Sequence, residues 1–187
     1  MTRLTAILLL FCGATAAHAQ SKFHLDLDYR YSFGLSESYD GHTLGRDKYK
    51  MGGHALHLAA RYDITPLWSA GIGAGLDRYT EPDYNTLPVF ATVRYKFLSS
   101  VPNAYAFADA GYAIKAGDYT QGFTGSLGVG YTHLFTRRFG LNFQLAYNLK
   151  QFTGLPYYTI DTASGYASYS EVSSTRHSIA LGIGITF

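Results

Sequence analysis

From Lys22 to Ser36 the chain alternates without interruption. Phe23, Leu25, Leu27, Tyr29, Tyr31, Phe33 and Leu35 are apolar or aromatic, and the residues between them are His24, Asp26, Asp28, Arg30, Ser32 and Gly34. Side chains on a strand project to opposite faces in turn, so this spacing predicts one ribbon with a greasy face and a charged face. A soluble strand is typically about five or six residues long, whereas a strand that crosses a bilayer needs roughly nine to eleven. The pattern recurs seven more times, over about 53–64, 68–77, 87–97, 104–114, 123–135, 139–150 and 176–187. In the fifth strand, Ala106, Ala108, Ala110, Tyr112 and Ile114 are assigned outward. The other register would put Asp109 into hydrocarbon, where a charge costs a few kcal/mol.

The predicted fold is therefore all-β: an eight-stranded antiparallel up-and-down barrel that spans a membrane, with residues 20–187 forming one barrel domain. The joints alternate in length. Thr65-Pro66, Ser99 to Asn103 and Thr136 to Arg138 are short, while Glu37 to Gly52 and Gln151 to Thr175 are long. Short periplasmic turns and long external loops are the outer-membrane arrangement, and an even strand number places both termini on the periplasmic side. Phe23, Tyr62, Trp68, Tyr95, Phe97, Phe135, Phe139 and Phe187 fall at one end of the strands, and Tyr31, Phe33, Tyr112, Phe123 and Tyr147 toward the other. Such girdles suit headgroup depth, where one part of a ring is dry and another wet.

Composition refines this picture without redirecting it. Mean hydropathy is near zero because apolar and polar positions cancel, which is how a barrel escapes a hydropathy plot. The formal charge is +2, and one of those charges is Arg3. That is no basic face for nucleic acid. Residues 1–19 read as a signal peptide, with Arg3, the apolar run Ala6 to Phe11 and the small-x-small site Ala17-His18-Ala19. Cys12 lies in that leader, so the expected mature chain starts at Gln20 and has no thiol chemistry. No fused periplasmic domain is expected beyond the last strand.

These features resemble the small eight-stranded outer-membrane β-barrel families of Gram-negative bacteria. The likeness rests on A-H-A before Gln20, the eight alternating strands and the closing I-A-L-G-I-G-I-T-F. Through that resemblance Ile183, Ile185 and Phe187 read as the assembly signal offered to the barrel-assembly machinery. The class holds membrane anchors, adhesins, narrow channels and lipid-modifying enzymes, so the resemblance implies architecture more sharply than activity.

Eight strands enclose an interior just wide enough for side chains. The inward set holds Asp26, Asp28, Asp63, Asp77 and Asp109 against Arg30, Arg61, Arg94, Lys96, Lys115, Lys150 and Arg176. Asp26, Asp28, Arg61, Arg94 and Asp109 are expected at one depth as a buried ion network, since charges away from water must pair. Glycines of the third, sixth and eighth strands leave room opposite Phe90, Phe107, Arg61 and Arg94. A plugged lumen follows, with no enzymatic role; a narrow channel for small solutes is the alternative.

A lipid A-modifying hydrolase is the second alternative. His177 and Ser178 are adjacent and so point apart on a strand, but Glu171, Ser173, Thr175 and His177 share a parity. His57 is expected as an interior histidine near Arg61. No metal spacing occurs and no cofactor is expected. The loops are the expected working surface. Arg46, Lys48 and Lys50 would share a face if extended and could meet lipopolysaccharide phosphates. Tyr157, Tyr158, Tyr166 and Tyr169, set among Ser, Thr and Gly, suit an extracellular ligand. They are expected on a hairpin that carries the last two strands beyond the membrane. The expected partners are thus outer-membrane lipid, lipopolysaccharide and a surface ligand.

Overall fold

The computed structural model describes residues 22–39, 41–136, 139–160 and 167–187. The proposed leader and Tyr166 lie outside the described residues. The strands are β1 (Phe23–Tyr39), β2 (His42–Gly45), β3 (Gly52–Asp63), β4 (Trp68–Tyr79), β5 (Tyr84–Tyr95), β6 (Ala104–Ile114), β7 (Gly122–Leu134), β8 (Gly140–Ile160) and β9 (Ala167–Thr186). Every pairing is antiparallel, and β1 pairs with β9 to close the sheet. The ring has eight members. The extra strand, β2, turns back on the outer end of β1, with Ser36 opposite Gly45 and Tyr39 opposite His42.

The two faces are assigned as alternation requires. Leu58, Ile72, Val93, Leu127, Leu145 and Leu181 are exposed outward, while Asp26, Arg61, Arg94, Asp109, Gln144 and Arg176 are buried inward. A soluble barrel has the reverse distribution. An outer surface this apolar is stable against hydrocarbon, so the chain is built as a transmembrane barrel. In β6, Asp109 is buried and Tyr112 exposed, as the cost of a charge in lipid demands. Aromatic rings meet in a belt at the end that carries both barrel termini: Trp68 stacks on Tyr95 at 4.4 Å, and Phe139 lies 5.8 Å from Phe135 and 5.5 Å from Phe187.

Two irregularities move the strand ends away from the sequence expectation. A bulge between Gly34 and Ser36 inverts the parity of β1, so Glu37 turns inward and is fully buried. The expected first loop therefore starts three residues late. A second bulge, between Phe152 and Leu155, sits at Gly154, whose φ of +71° favours glycine. Beyond it β8 and β9 stay paired out to Ile160 and Ala167, which is the expected projecting hairpin. Lys96 and Lys115 are exposed just outside β5 and β6 and do not occupy the lumen.

Candidate functional site: the lumen and its two mouths

Inward residues of neighbouring strands meet at three levels. Nearest the termini, Arg61 on β3 reaches across to Asp26 on β1, with Nε 2.5 Å from Oδ2 and Nη2 3.3 Å from Oδ1. Its Nη1 donates to Ser69 Oγ at 2.7 Å. Arg94 on β5 lies 3.1 Å from the same Asp26 and 3.5 Å from Asp28. Asn142 and Gln144 on β8 donate amide hydrogens to these two carboxylates. The guanidinium of Arg94 also rests 4.8 Å from the centre of the Tyr105 ring. Two acids and two bases thus neutralise one another in a buried site.

Asp109 is not part of that group. Its carboxylate pairs with Arg30 at 2.8 Å, and Arg30 Nε donates to Gln144 Oε1 at 2.9 Å. Arg30 packs over Phe107, 5.1 Å from the ring centre. The expected single network of five residues is therefore two neighbouring groups joined through Gln144. The stagger of tilted strands lifts β6 relative to β1, and equal counts along two strands do not give equal depth. Among the described residues, Arg94 Nε, Asp109 Oδ1 and Asn148 Oδ1 have no hydrogen-bond partner.

The next level holds Asp77 of β4. It accepts from His57 at 2.8 Å and from Tyr79 and Thr86, each at 3.3 Å, and lies 3.6 Å from Lys150. His57 thus bonds to Asp77 instead of approaching Arg61. Its ring packs against Phe90, 5.0 Å between centres.

At the mouth away from the termini, Arg176 of β9 is fully buried. Its Nε donates to Glu37 Oε2 at 2.6 Å, and its other nitrogens donate to the carbonyls of Gly52, Thr80 and Pro82. Ser174 donates to the second Glu37 oxygen. The guanidinium packs against both the Tyr79 and Phe152 rings, at 5.5 and 5.7 Å from their centres. Tyr79, Phe152 and Leu155 form an apolar cluster there, flanked by Tyr39, Tyr84 and Val172. Alternation places Arg176 in the inward set but puts its partner Glu37 in the first loop. The signal that could have found it is Gly34, a residue suited to a bulge, followed by a lone acid amid Ser and Tyr.

The mouth on the terminal side holds a cavity of about 220 Å³ below Arg61 and Arg94, bordered by His24, Asp63, Trp68, Lys96 and Tyr105. His24 bonds to Asp63 at 3.0 Å.

No protein-family model and no curated protein matches the chain. Among solved structures it is similar to the outer membrane protein OprG from Pseudomonas aeruginosa (12% identity, TM-score 0.46, covering 88% of this chain and 95% of that one). It is likewise similar to the outer membrane protein AlkL in lipid bilayers (12% identity, TM-score 0.48, 92% of each chain). A third is Neisserial surface protein A (16% identity, TM-score 0.44, 89% of this chain and 98% of that one).

The remaining sequence candidates lie outside the lumen. Gly45 to Lys48 forms a turn, so Arg46, Lys48 and Lys50 do not share the face of an extended strand. Arg46 folds back, donating to the carbonyls of Gly34 and Lys50, and covers Phe33 at 5.8 Å. The backbone of Lys50 donates to Glu81 at 2.6 Å. Tyr157 meets Tyr39 at 6.2 Å between ring centres, while Tyr169 is exposed and donates to Glu171. Tyr158 pairs with Tyr169 through the backbone of the hairpin. His177 faces outward against the Tyr147 hydroxyl, and Ser178 is buried inside. Ile183, Ile185 and Phe187 lie on the outer face at the closing seam.

Proposed function

We propose that this chain is an integral outer-membrane barrel, plugged by its own side chains and active at the cell surface through its outer hairpins, without catalysis. One observation carries the reading. Arg176, fully buried and paired with Glu37 on the adjoining strand, reaches over the outer mouth to the carbonyls of Thr80 and Pro82, while Arg94 on β5 reaches Asp26 and Asp28 on β1 across the floor. A passing solute would have to part Arg94 from Asp26 and Asp28, and Arg176 from those two carbonyls. Leaving either partner of such a pair alone costs about 3–5 kcal/mol.

Both termini are assigned to the periplasm. The opposite end carries the β1–β2 and β8–β9 hairpins, whose tyrosines and exposed polar groups suit contact with a ligand. Ile183, Ile185 and Phe187, on the strand that closes the ring, are assigned to recognition by the barrel-assembly machinery. His177 is held by the Tyr147 hydroxyl on the outer wall while Ser178 is buried inside, which supports a structural role for that histidine.

Single-channel recording on purified protein in planar bilayers tests the plug. The expected trace stays closed apart from brief small events, and liposomes carrying the protein do not swell in small sugars. A large steady open state of the native chain, or rapid swelling, would replace this reading with the channel. Lipid A isolated from cells that express the native chain is expected to match lipid A from cells expressing His177→Ala.

A further inference from the structure

The outer wall breaks its own apolar rule at one level. Tyr31, His54, Arg78 and Asn85 are consecutive cross-strand partners on β1, β3, β4 and β5. All four point outward, where alternation otherwise supplies apolar residues. One step toward the middle of the wall the same strands present Tyr29, Leu56 and Leu76, again as partners. The change from Leu56 and Leu76 to His54 and Arg78 marks the upper edge of the hydrocarbon band. A groove of about 210 Å³ opens at this edge between Tyr29 and His54 on one side and Tyr119 on the other. Tyr29 donates to or accepts from His54 Nδ1 at 2.7 Å, which fixes that wall. The opposite wall is held where Thr120 donates its backbone hydrogen to the Asn85 carbonyl at 2.8 Å.

We propose that this groove binds the phosphate of an anionic membrane lipid in the outer leaflet. The assignment rests on the reading of this chain as an outer-membrane barrel with its termini in the periplasm. Three features support it. The Arg78 side chain is exposed and makes no hydrogen bond or ion pair among the described residues. Asn85 adds an amide donor beside it, and His54 an imidazole. Asp77 also lines the groove, but its carboxylate is turned into the lumen, held by His57 and Lys150, and does not face an anion beside Arg78. Leu56 and Leu76 directly below offer a dry surface for the start of an acyl chain. A planar guanidinium pairs with phosphate in a fork of parallel hydrogen bonds, and flanking tyrosines suit this depth.

Native mass spectrometry of the folded protein released from micelles tests this, with lipid A as anionic probe and phosphatidylcholine as zwitterionic control. Lipid A is expected to remain bound where phosphatidylcholine is lost. Arg78→Gln should reduce retention about fivefold, the weight of one juxtamembrane cation. Arg78→Lys should keep most of it, and Lys115→Gln, a cation outside the groove, should leave it unchanged. Equal retention of both lipids, no effect of Arg78→Gln, an equal effect of Lys115→Gln, or displacement by millimolar inorganic phosphate would each overturn the proposal. Failure of the protein to enter any bilayer would instead remove the barrel reading beneath it.

Discussion

Glu37 and Arg176 show how much a single inward side chain matters here. Both are fully buried, and the arginine spends its donors on Glu37 and three carbonyls. Glu37→Gln would leave a cation under-compensated in a dry site. It is expected to lower stability by about 3 kcal/mol, read as the midpoint of urea unfolding in micelles. Replacing both, as Glu37→Leu with Arg176→Met, is expected to recover most of that loss, because an apolar pair leaves no charge unpartnered. Glycines matter for space in the same lumen. A methyl carbon on Gly130 would fall 2.5 Å from the Tyr105 ring, and one on Gly73 would fall 2.5 Å from Phe90. Gly130→Val should therefore cost about 1–3 kcal/mol by overpacking. At the outward Gly125 the nearest atom is the movable edge of Phe123 at 3.2 Å, so Gly125→Val should cost less in the same unfolding assay.

Strands behave as the units that the alternation implied, up to the point where a bulge interrupts it. Leu127, near the centre of β7, is among the most exposed residues of the wall. Leu127→Arg is expected to cost about 2–4 kcal/mol if lipid surrounds β7, and Leu127→Ala much less. Equal costs measured by reversible unfolding in vesicles would contradict a lipid-facing wall. Parity was legible in the sequence for Asp26, Arg61, Arg94 and Asp109, because each lies within an unbroken period of two. It failed for Glu37, which lies past Gly34, where one extra residue inverts the count. It also could not reveal that His57 would meet Asp77: that contact depends on which residues of β3 and β4 are paired, not on either strand alone.

At the scale of the molecule, the barrel and its projecting hairpin are separable. The closed ring is complete between Phe23 and Leu134 on one side and Gly140 and Phe152 with Ser174 and Thr186 on the other. Replacing residues 157–170 by a tight Asn-Gly turn keeps Phe152, Leu155 and Arg176 in place. The shortened protein is expected to fold, and to run as a compact, heat-modifiable band in detergent gels like the full chain. Binding of a soluble ligand that depends on Tyr157 and Tyr169 should be lost with that segment, while retention of lipid A at the Arg78 groove should be kept. Loss of folding instead would show that the hairpin nucleates the barrel.

The order of apolar and polar residues by itself determined that this chain makes long strands, how many close the ring, and which face of each meets lipid. Those properties follow from the strand period, which is local. It also determined that acids and bases would be shut in together. Only the tertiary structure decided the partners: Arg30 for Asp109, Asp77 for His57, Glu37 for Arg176. Strand stagger and the bulge after Gly34 set these contacts, which form between strands and not along any one of them. The groove around Arg78 was invisible for the same reason, since its walls come from four strands and a loop far apart in the chain.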